Sequence, residues 1–228
     1  MDVYGTALQE YYAGKVNEKL WLQTNYGEPE EMPIDVFFRG QEDMPDLELY
    51  ALGLCYGEIL DIGAGVGSHS LILQNLGFDV TALEISASLC NIMKQRSIKN
   101  IFNEDIFSFT AQKFDTLLLL MNGIGLTGNL DGFRKFLQHA KLIIKPGGQL
   151  IFDSSDIGYL YEEIPKPDYN YFGEISYRYQ YKEMEGEWFK WLYIDQDVLL
   201  EETAKLGWTS QIIYENEDDH YLTRLILL

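Results

Sequence analysis

Ile59-Leu60-Asp61-Ile62-Gly63-Ala64-Gly65-Val66-Gly67-Ser68 is the stretch on which the fold turns. An apolar run carries an acid, three glycines follow at alternate positions, and a polar residue then opens a helical pattern. Glycine is needed where a chain turns sharply or where backbone must touch a ligand, because a Cβ would block the approach. A strand that runs through such a turn into a helix opens its ligand crevice beyond the strand's carboxyl end. A dinucleotide-binding turn reads Gly-x-Gly-x-x-Gly. Here the third glycine comes one residue early and Ser68 holds its place.

The residues on either side extend the same rhythm. Glu58 to Ile62 reads as a strand, Ser68 to Leu76 as a helix stopped by Gly77, and Asp79 to Leu83 as a second strand. Ser86 is placed to cap a helix running towards Arg96. Ile98 to Asn103 is a brief strand, and Phe114 to Met121 is apolar on both faces, as a covered parallel strand must be. Asp131 to Ile144 is amphipathic, and Gln149 to Phe152 follows the Lys145-Pro146-Gly147-Gly148 turn as a fifth strand. Repeated strand–helix–strand units imply right-handed crossovers and a doubly wound α/β sheet.

The flanks differ. Residues 1–56 carry two apolar-periodic stretches, around Ala7 to Tyr12 and Leu47 to Leu54, and predict a helical lid or cap. Gly-Glu-Pro-Glu-Glu-Met-Pro between them reads as loop. Residues 57–228 form the main domain, with an aromatic hairpin inserted at about 172–195. There Ile175, Tyr177, Tyr179 and Tyr181 alternate with polar residues, the pattern of a half-buried antiparallel strand. A helix near Asp197 to Leu206 and two closing strands, Trp208–Tyr214 and Tyr221–Leu228, complete the chain.

The glycine stretch resembles motif I of the class I S-adenosylmethionine-dependent methyltransferases, and further motifs follow in the family's order. Asp79-Val80-Thr81-Ala82-Leu83-Glu84-Ile85 resembles its second strand, and Asn103-Glu104-Asp105-Ile106 its adenine-binding segment. Phe114 to Asn122 resembles its fourth strand, and Lys145-Pro146-Gly147-Gly148-Gln149-Leu150 the turn before its fifth. The resemblance covers roughly residues 57–156. It implies a mostly parallel, seven-stranded Rossmann-like sheet with an antiparallel last strand, S-adenosylmethionine as cofactor and S-adenosylhomocysteine as product.

It also implies roles. Gly63, Ala64, Gly65 and Gly67 bring backbone to the methionine half of the cofactor, and Asp61 favours its amino group. Glu84 accepts from the ribose hydroxyls and Asp105 from the adenine amine, while Ile85 and Ile106 sandwich the ring. Met121 and Asn122 border the methyl donor. Read without the family, Asp105 is a turn or capping acid.

Candidates on the acceptor side rest on position. His69 follows the glycine turn and is either a base or a packed, capping histidine. Asn122-Gly123-Ile124-Gly125 ends the fourth strand and lacks the Asn/Asp-Pro-Pro-Tyr pattern of enzymes that methylate amino groups of the adenine, cytosine and glutamine kind. Asp153 and Asp156 follow the fifth strand and either bind substrate or cap a helix. Arg39, beside Phe37 and Phe38, could clasp an acid or simply lie on the surface. The head segment, Met-Asn-Gly-Ile-Gly and Asp-Ser-Ser-Asp resemble a bacterial methyltransferase subfamily of unassigned substrate. The hairpin aromatics read first as sheet packing or a homodimer contact, and second as an acceptor wall.

Composition narrows the partners. A net charge of -19 repels polyphosphate, so nucleic acid is not expected as substrate. Hydrophobic residues make up 46%, enough for a core, but no apolar run has transmembrane length. The chain starts without a signal-peptide pattern, and its two cysteines, Cys55 and Cys90, read as buried thiols of a cytoplasmic protein. Three dispersed histidines suggest no metal site. The resulting expectation is methyl transfer from S-adenosylmethionine to a small molecule. The alternatives are a non-catalytic adenosylmethionine-binding module and, on the spacing less favoured, a nicotinamide-dependent oxidoreductase.

Overall fold

A computed structural model of the chain describes residues 2–15, 18–25, 27–162 and 165–227. The first part contains α1 (Val3–Tyr12), β1 (Leu20–Thr24), β2 (Glu30–Met32) and α2 (Asp46–Gly53). The central part contains β3 (Glu58–Ile62), α3 (Ser68–Asn75), β4 (Asp79–Leu83), α4 (Ala87–Gln95), β5 (Asn100–Phe102), β6 (Phe114–Leu119), α5 (Leu130–Ile143) and β7 (Ile144–Ser155). The last part contains β8 (Glu174–Tyr181), β9 (Met184–Glu185), β10 (Phe189–Leu192), α6 (Gln196–Lys205), β11 (Trp208–Glu215) and β12 (His220–Leu227). Leu228, which the sequence reading included in the closing strand, lies outside the described residues.

The main sheet has seven strands in the order β11-β12-β7-β6-β3-β4-β5. β3 to β7 pair in parallel, and β12 runs antiparallel to both β7 and β11. This is the Rossmann-like methyltransferase architecture expected from the sequence. The apolar run of β6 explains why its sheet is covered on both sides. Leu117 and Leu119 join Phe133, Phe136 and Leu137 of α5 on one face, whereas Leu118 and Leu120 join Leu47 and Ala51 of α2 on the other. Ser86 accepts from Leu89 N–H and Asn129 from Gly132 N–H, each supplying a partner that the first helical turn lacks.

The leading segment departs from the expectation of helices around a loop. β1 and β2 form a hairpin, so part of the stretch expected as loop is strand. β1 pairs antiparallel with β8, and the second sheet runs β10-β8-β1-β2 with β9 beside β8. Glu, Pro and Gly argue for a loop locally. Pairing with a strand some 150 positions away satisfies the backbone instead. The head of the chain and the later insertion are therefore one structural unit, continuous through Leu20 and Tyr181 with α1 and α4.

Candidate active site

The carboxyl ends of β3, β4 and β6 meet the second sheet across a cavity of about 540 Å³. Its floor is the glycine turn. Gly63 and Gly65 have φ of 70° and 58°, in the left-handed region. A Cβ on Gly65 would project into open space, and one on Gly63 would meet only Leu126 Cδ2, at 3.5 Å. Gly67, also left-handed, is a glycine for another reason: a Cβ there would overlap Ile98 and crowd Met93. It lets α3 pack closely and does not line the cavity.

Two buried acids stand behind this turn. Asp61 receives a hydrogen bond from Ser70 Oγ at 2.6 Å. Burial pushes its carboxyl up, opposed by His69 and Ser70. Glu84 receives Gly65 N–H on Oε2 at 2.9 Å and Ser86 N–H on Oε1 at 2.8 Å. Burial pushes it up as well, and those backbone donors pull the other way. A carboxylate has about four acceptor positions, so Glu84 keeps capacity for a ligand's hydroxyls. Ile85, 70% exposed, and Ile106 both line the cavity. Asp105 lines the same end, and its Oδ1 also accepts Phe107 N–H at 2.9 Å, so the turn-acid reading holds for one oxygen.

The end of β6 is strained. Met121 and Asn122 both line the cavity and both have positive φ, 63° and 52°. Such backbone persists only where surrounding contacts over-determine it. Asp153 Oδ2 accepts Asn122 N–H at 2.9 Å, Trp191 Nε1–H donates to the Asn122 carbonyl at 3.1 Å, and Ser155 Oγ donates to Asn122 Oδ1 at 3.3 Å. Asp153 is fully buried behind Asn122 and is itself held by His220 Nε2 at 2.7 Å. Among the described residues its Oδ1 has no hydrogen-bond partner. Asp153 is thus a support for the loop and not part of the cavity wall. His220 is the outer part of that support.

His69 lines the cavity, but its Nε2 lies 2.7 Å from Glu48 Oε2, and Glu48 also binds Arg39. Burial raises the Glu48 carboxyl, yet the hydrogen bonds and charges of His69 and Arg39 hold it below the ordinary range. The Nε2 of His69 is thus taken up by Glu48. Arg39 is turned to Glu48 and away from the main cavity. Asp156 also lies off the cavity, where its Oδ1 accepts Gly158 N–H at 2.8 Å. None of the three residues expected to bind substrate, Arg39, Asp153 and Asp156, lines the chamber. Asp153 is turned to Asn122 and His220, Asp156 to its own turn, and Arg39 to the buried Glu48.

The sequence reading put an acceptor wall second for the hairpin aromatics and did not foresee the part of the first hairpin. Leu22 and Met32 of the first hairpin, Tyr177 and Tyr179 of β8, and Phe189 and Trp191 of β10 line the cavity from above. Tyr4 closes the side, stacked on Tyr179 at 4.9 Å. The alternation of β8 was the available signal. It told that one face is covered, not that a cavity and not a neighbouring sheet lies beneath. Gly125 explains how roof and floor meet, because a Cβ there would overlap the Trp191 indole.

With this geometry the chain can be compared with known proteins. Residues 21–196 match the family described as Methyltransferase domain. A S-adenosylmethionine-dependent methyltransferase from Bacteroides fragilis, solved with S-adenosyl-L-homocysteine, is similar with a TM-score of 0.92 and 36% identity, covering 99% of this chain and 94% of its own. Another from Clostridium acetobutylicum has a TM-score of 0.62 at 15% identity over 82% of this chain and 94% of its own, a likeness of fold. A demethylmenaquinone methyltransferase of Tropheryma whipplei is 30% identical over 107 residues, 44% of this chain. That match spans 43% of the relative's length, less than half.

Proposed function

The chain belongs to the methyltransferase-domain family, and from that premise we propose that it transfers a methyl group from S-adenosylmethionine to a small-molecule acceptor held under the aromatic roof. The observation that carries the reading is the glycine turn open to the same cavity as Glu84, Ile85 and Asp105. The residues fit the cofactor on chemical grounds. Backbone at Gly63 and Gly65 can approach the methionine half without a Cβ in the way, and Ala64 between them adds only a methyl group. Asp61 sits beneath that turn and favours a positive amino group. Glu84 takes the ribose hydroxyls, Asp105 has an oxygen left for the adenine amine, and Ile85 and Ile106 bracket the ring.

The bound cofactor supplies an activated methyl on a sulfonium. This chain's residues then hold the acceptor in line with it and keep water out. Asn122, locked from three sides in the cavity wall, would border the methyl donor. The small-molecule reading is supported by the enclosure of the chamber and by the partial likeness to an enzyme named for a quinone substrate.

Calorimetric titration with S-adenosylmethionine, S-adenosylhomocysteine and NAD in parallel tests this reading. Binding of the first two without NAD is the expected result. Binding of NAD alone would replace it with the oxidoreductase reading, and binding of none would overturn the cofactor assignment.

A further inference from the structure

Resting on the methyltransferase reading, we infer that the acceptor is an amine, and that Tyr177, Phe189, Trp191 and Tyr193 form the box that receives the charge it acquires. Three observations lead there. The first is the charge of the lining. The cavity is bordered by the carboxylates Asp61, Glu84, Glu104 and Asp105, and by no lysine or arginine among the described residues. The whole chain carries -19. A phosphorylated or carboxylated acceptor finds no counter-charge here, whereas the positive charge left on a methylated amine is favoured.

The second is the shape of the roof. Tyr177 and Tyr193 meet at 69° with centroids 6.4 Å apart, and Phe189 and Trp191 meet at 80° and 6.2 Å. Each is an edge-to-face contact, and all four rings border the same cavity, so a compact group lodged there meets aromatic surface from more than one ring. A flat acceptor needs a parallel slot, and the parallel pairs present are already closed. Tyr4 on Tyr179 is at 4.9 Å and Tyr179 on Phe189 at 5.0 Å, with no room for a ring between. Faces of Trp, Tyr and Phe attract ammonium groups through the ring quadrupole.

The third is the lack of a base beside the box. The second sheet contributes Leu22, Met32 and aromatic rings to the lining, and no carboxylate or imidazole. His69 is engaged by Glu48 across the cavity floor. Burial pushes the Tyr193 phenol up, so it remains protonated. A hydroxyl acceptor would need its proton removed as it reacts. An amine entering as the free base, its proton left in water, needs no such help. Its nitrogen lone pair forms the new N–C bond to the methyl carbon. The C–S bond breaks with its electron pair remaining on sulfur, and the positive charge passes from the sulfonium to the nitrogen inside the box. Any N–H on the product is released to solvent.

The test is calorimetric and needs no turnover. The full chain, with and without saturating S-adenosylhomocysteine, is titrated with choline, with dimethylbutanol (the neutral alcohol in which carbon replaces the nitrogen) and with naphthol. Choline is expected to bind at least about fivefold tighter than dimethylbutanol, the range of one or two cation–π contacts. Phe189→Leu is expected to erase most of that preference while leaving S-adenosylhomocysteine affinity unchanged. Equal affinity for choline and dimethylbutanol, or tighter binding of naphthol than of choline, would overturn the inference. If Phe189→Leu does not fold, the wild-type comparison alone decides. Failure of S-adenosylhomocysteine to bind sinks the cofactor reading separately, and the choline preference is still read on the free protein.

Discussion

At Gly65 ligand binding depends on whether one carbon atom fits. The backbone is left-handed and the Cβ position is the space a ligand would use. Gly65→Val should lower S-adenosylhomocysteine affinity by more than about a hundredfold, since the β-branched side chain both blocks the approach and strains the turn. Glu84→Ala should cost about 1.5–3 kcal/mol of binding, the worth of hydrogen bonds to a charged group. The same carboxylate predicts a pH dependence. Its folded pKa is raised by burial, and the charged form is the acceptor, so affinity should fall as pH drops through a value above the ordinary carboxylate range. Glu84→Gln should flatten that profile, as titration across pH 4–7 would reveal.

Glu48 carries a different prediction. It is buried and serves both Arg39 and His69. Glu48→Gln should destabilise the fold by about 3 kcal/mol in urea unfolding, because it leaves two buried donors without their acid. The depressed folded pKa of Glu48 means its contribution is present above the unfolded carboxylate value and is lost as pH falls through the folded one. Of these residue-scale features, Gly65 and Glu84 were legible in the sequence because their roles follow from a local turn and a fixed spacing. Glu48 was not, because an acid in an apolar helical stretch looks like any surface acid until its partners are known.

Among elements, the decisive contact joins β10 to the loop after β6. Trp191 lies over Gly125 and bonds the Asn122 carbonyl. Gly125→Val should push the indole off that loop, costing about 1–3 kcal/mol as overpacking does. It should shift Trp fluorescence and loosen acceptor binding more than cofactor binding. Unchanged fluorescence and melting would show that the loop yields easily. The strand–helix rhythm from β3 to β7 was legible, since a parallel strand covered on both sides must be apolar throughout and its helices must show one apolar face. β1 and β2 were not, since strands of five and three residues owe their form to their partners, β1 to β8 and β2 to β1.

At the scale of the molecule, floor and roof come from two sheets, and the roof joins residues from both ends of the chain. Ligand in the cavity should therefore tie these sheets together. S-adenosylhomocysteine at a hundred times its Kd should stabilise the chain by about 2.7 kcal/mol. Hydrogen exchange should slow in α1 and β8 as well as at the glycine turn. Protection confined to the turn would mean that the second sheet does not close on the ligand.

The sequence by itself determined what depends on neighbours along the chain: the order of strands and helices, the glycine turn, the acid at the end of β4 and the family these point to. Only the tertiary structure decided what depends on distant segments. It turned Asp153 from a candidate ligand into the anchor of Asn122, tied His69 to Glu48, and set the aromatics of β8 and β10 over a cavity. The physical reason is that local backbone preferences and apolar periodicity are written in adjacent residues. A buried polar partner, or the space beneath a ring, exists only once two remote segments have packed.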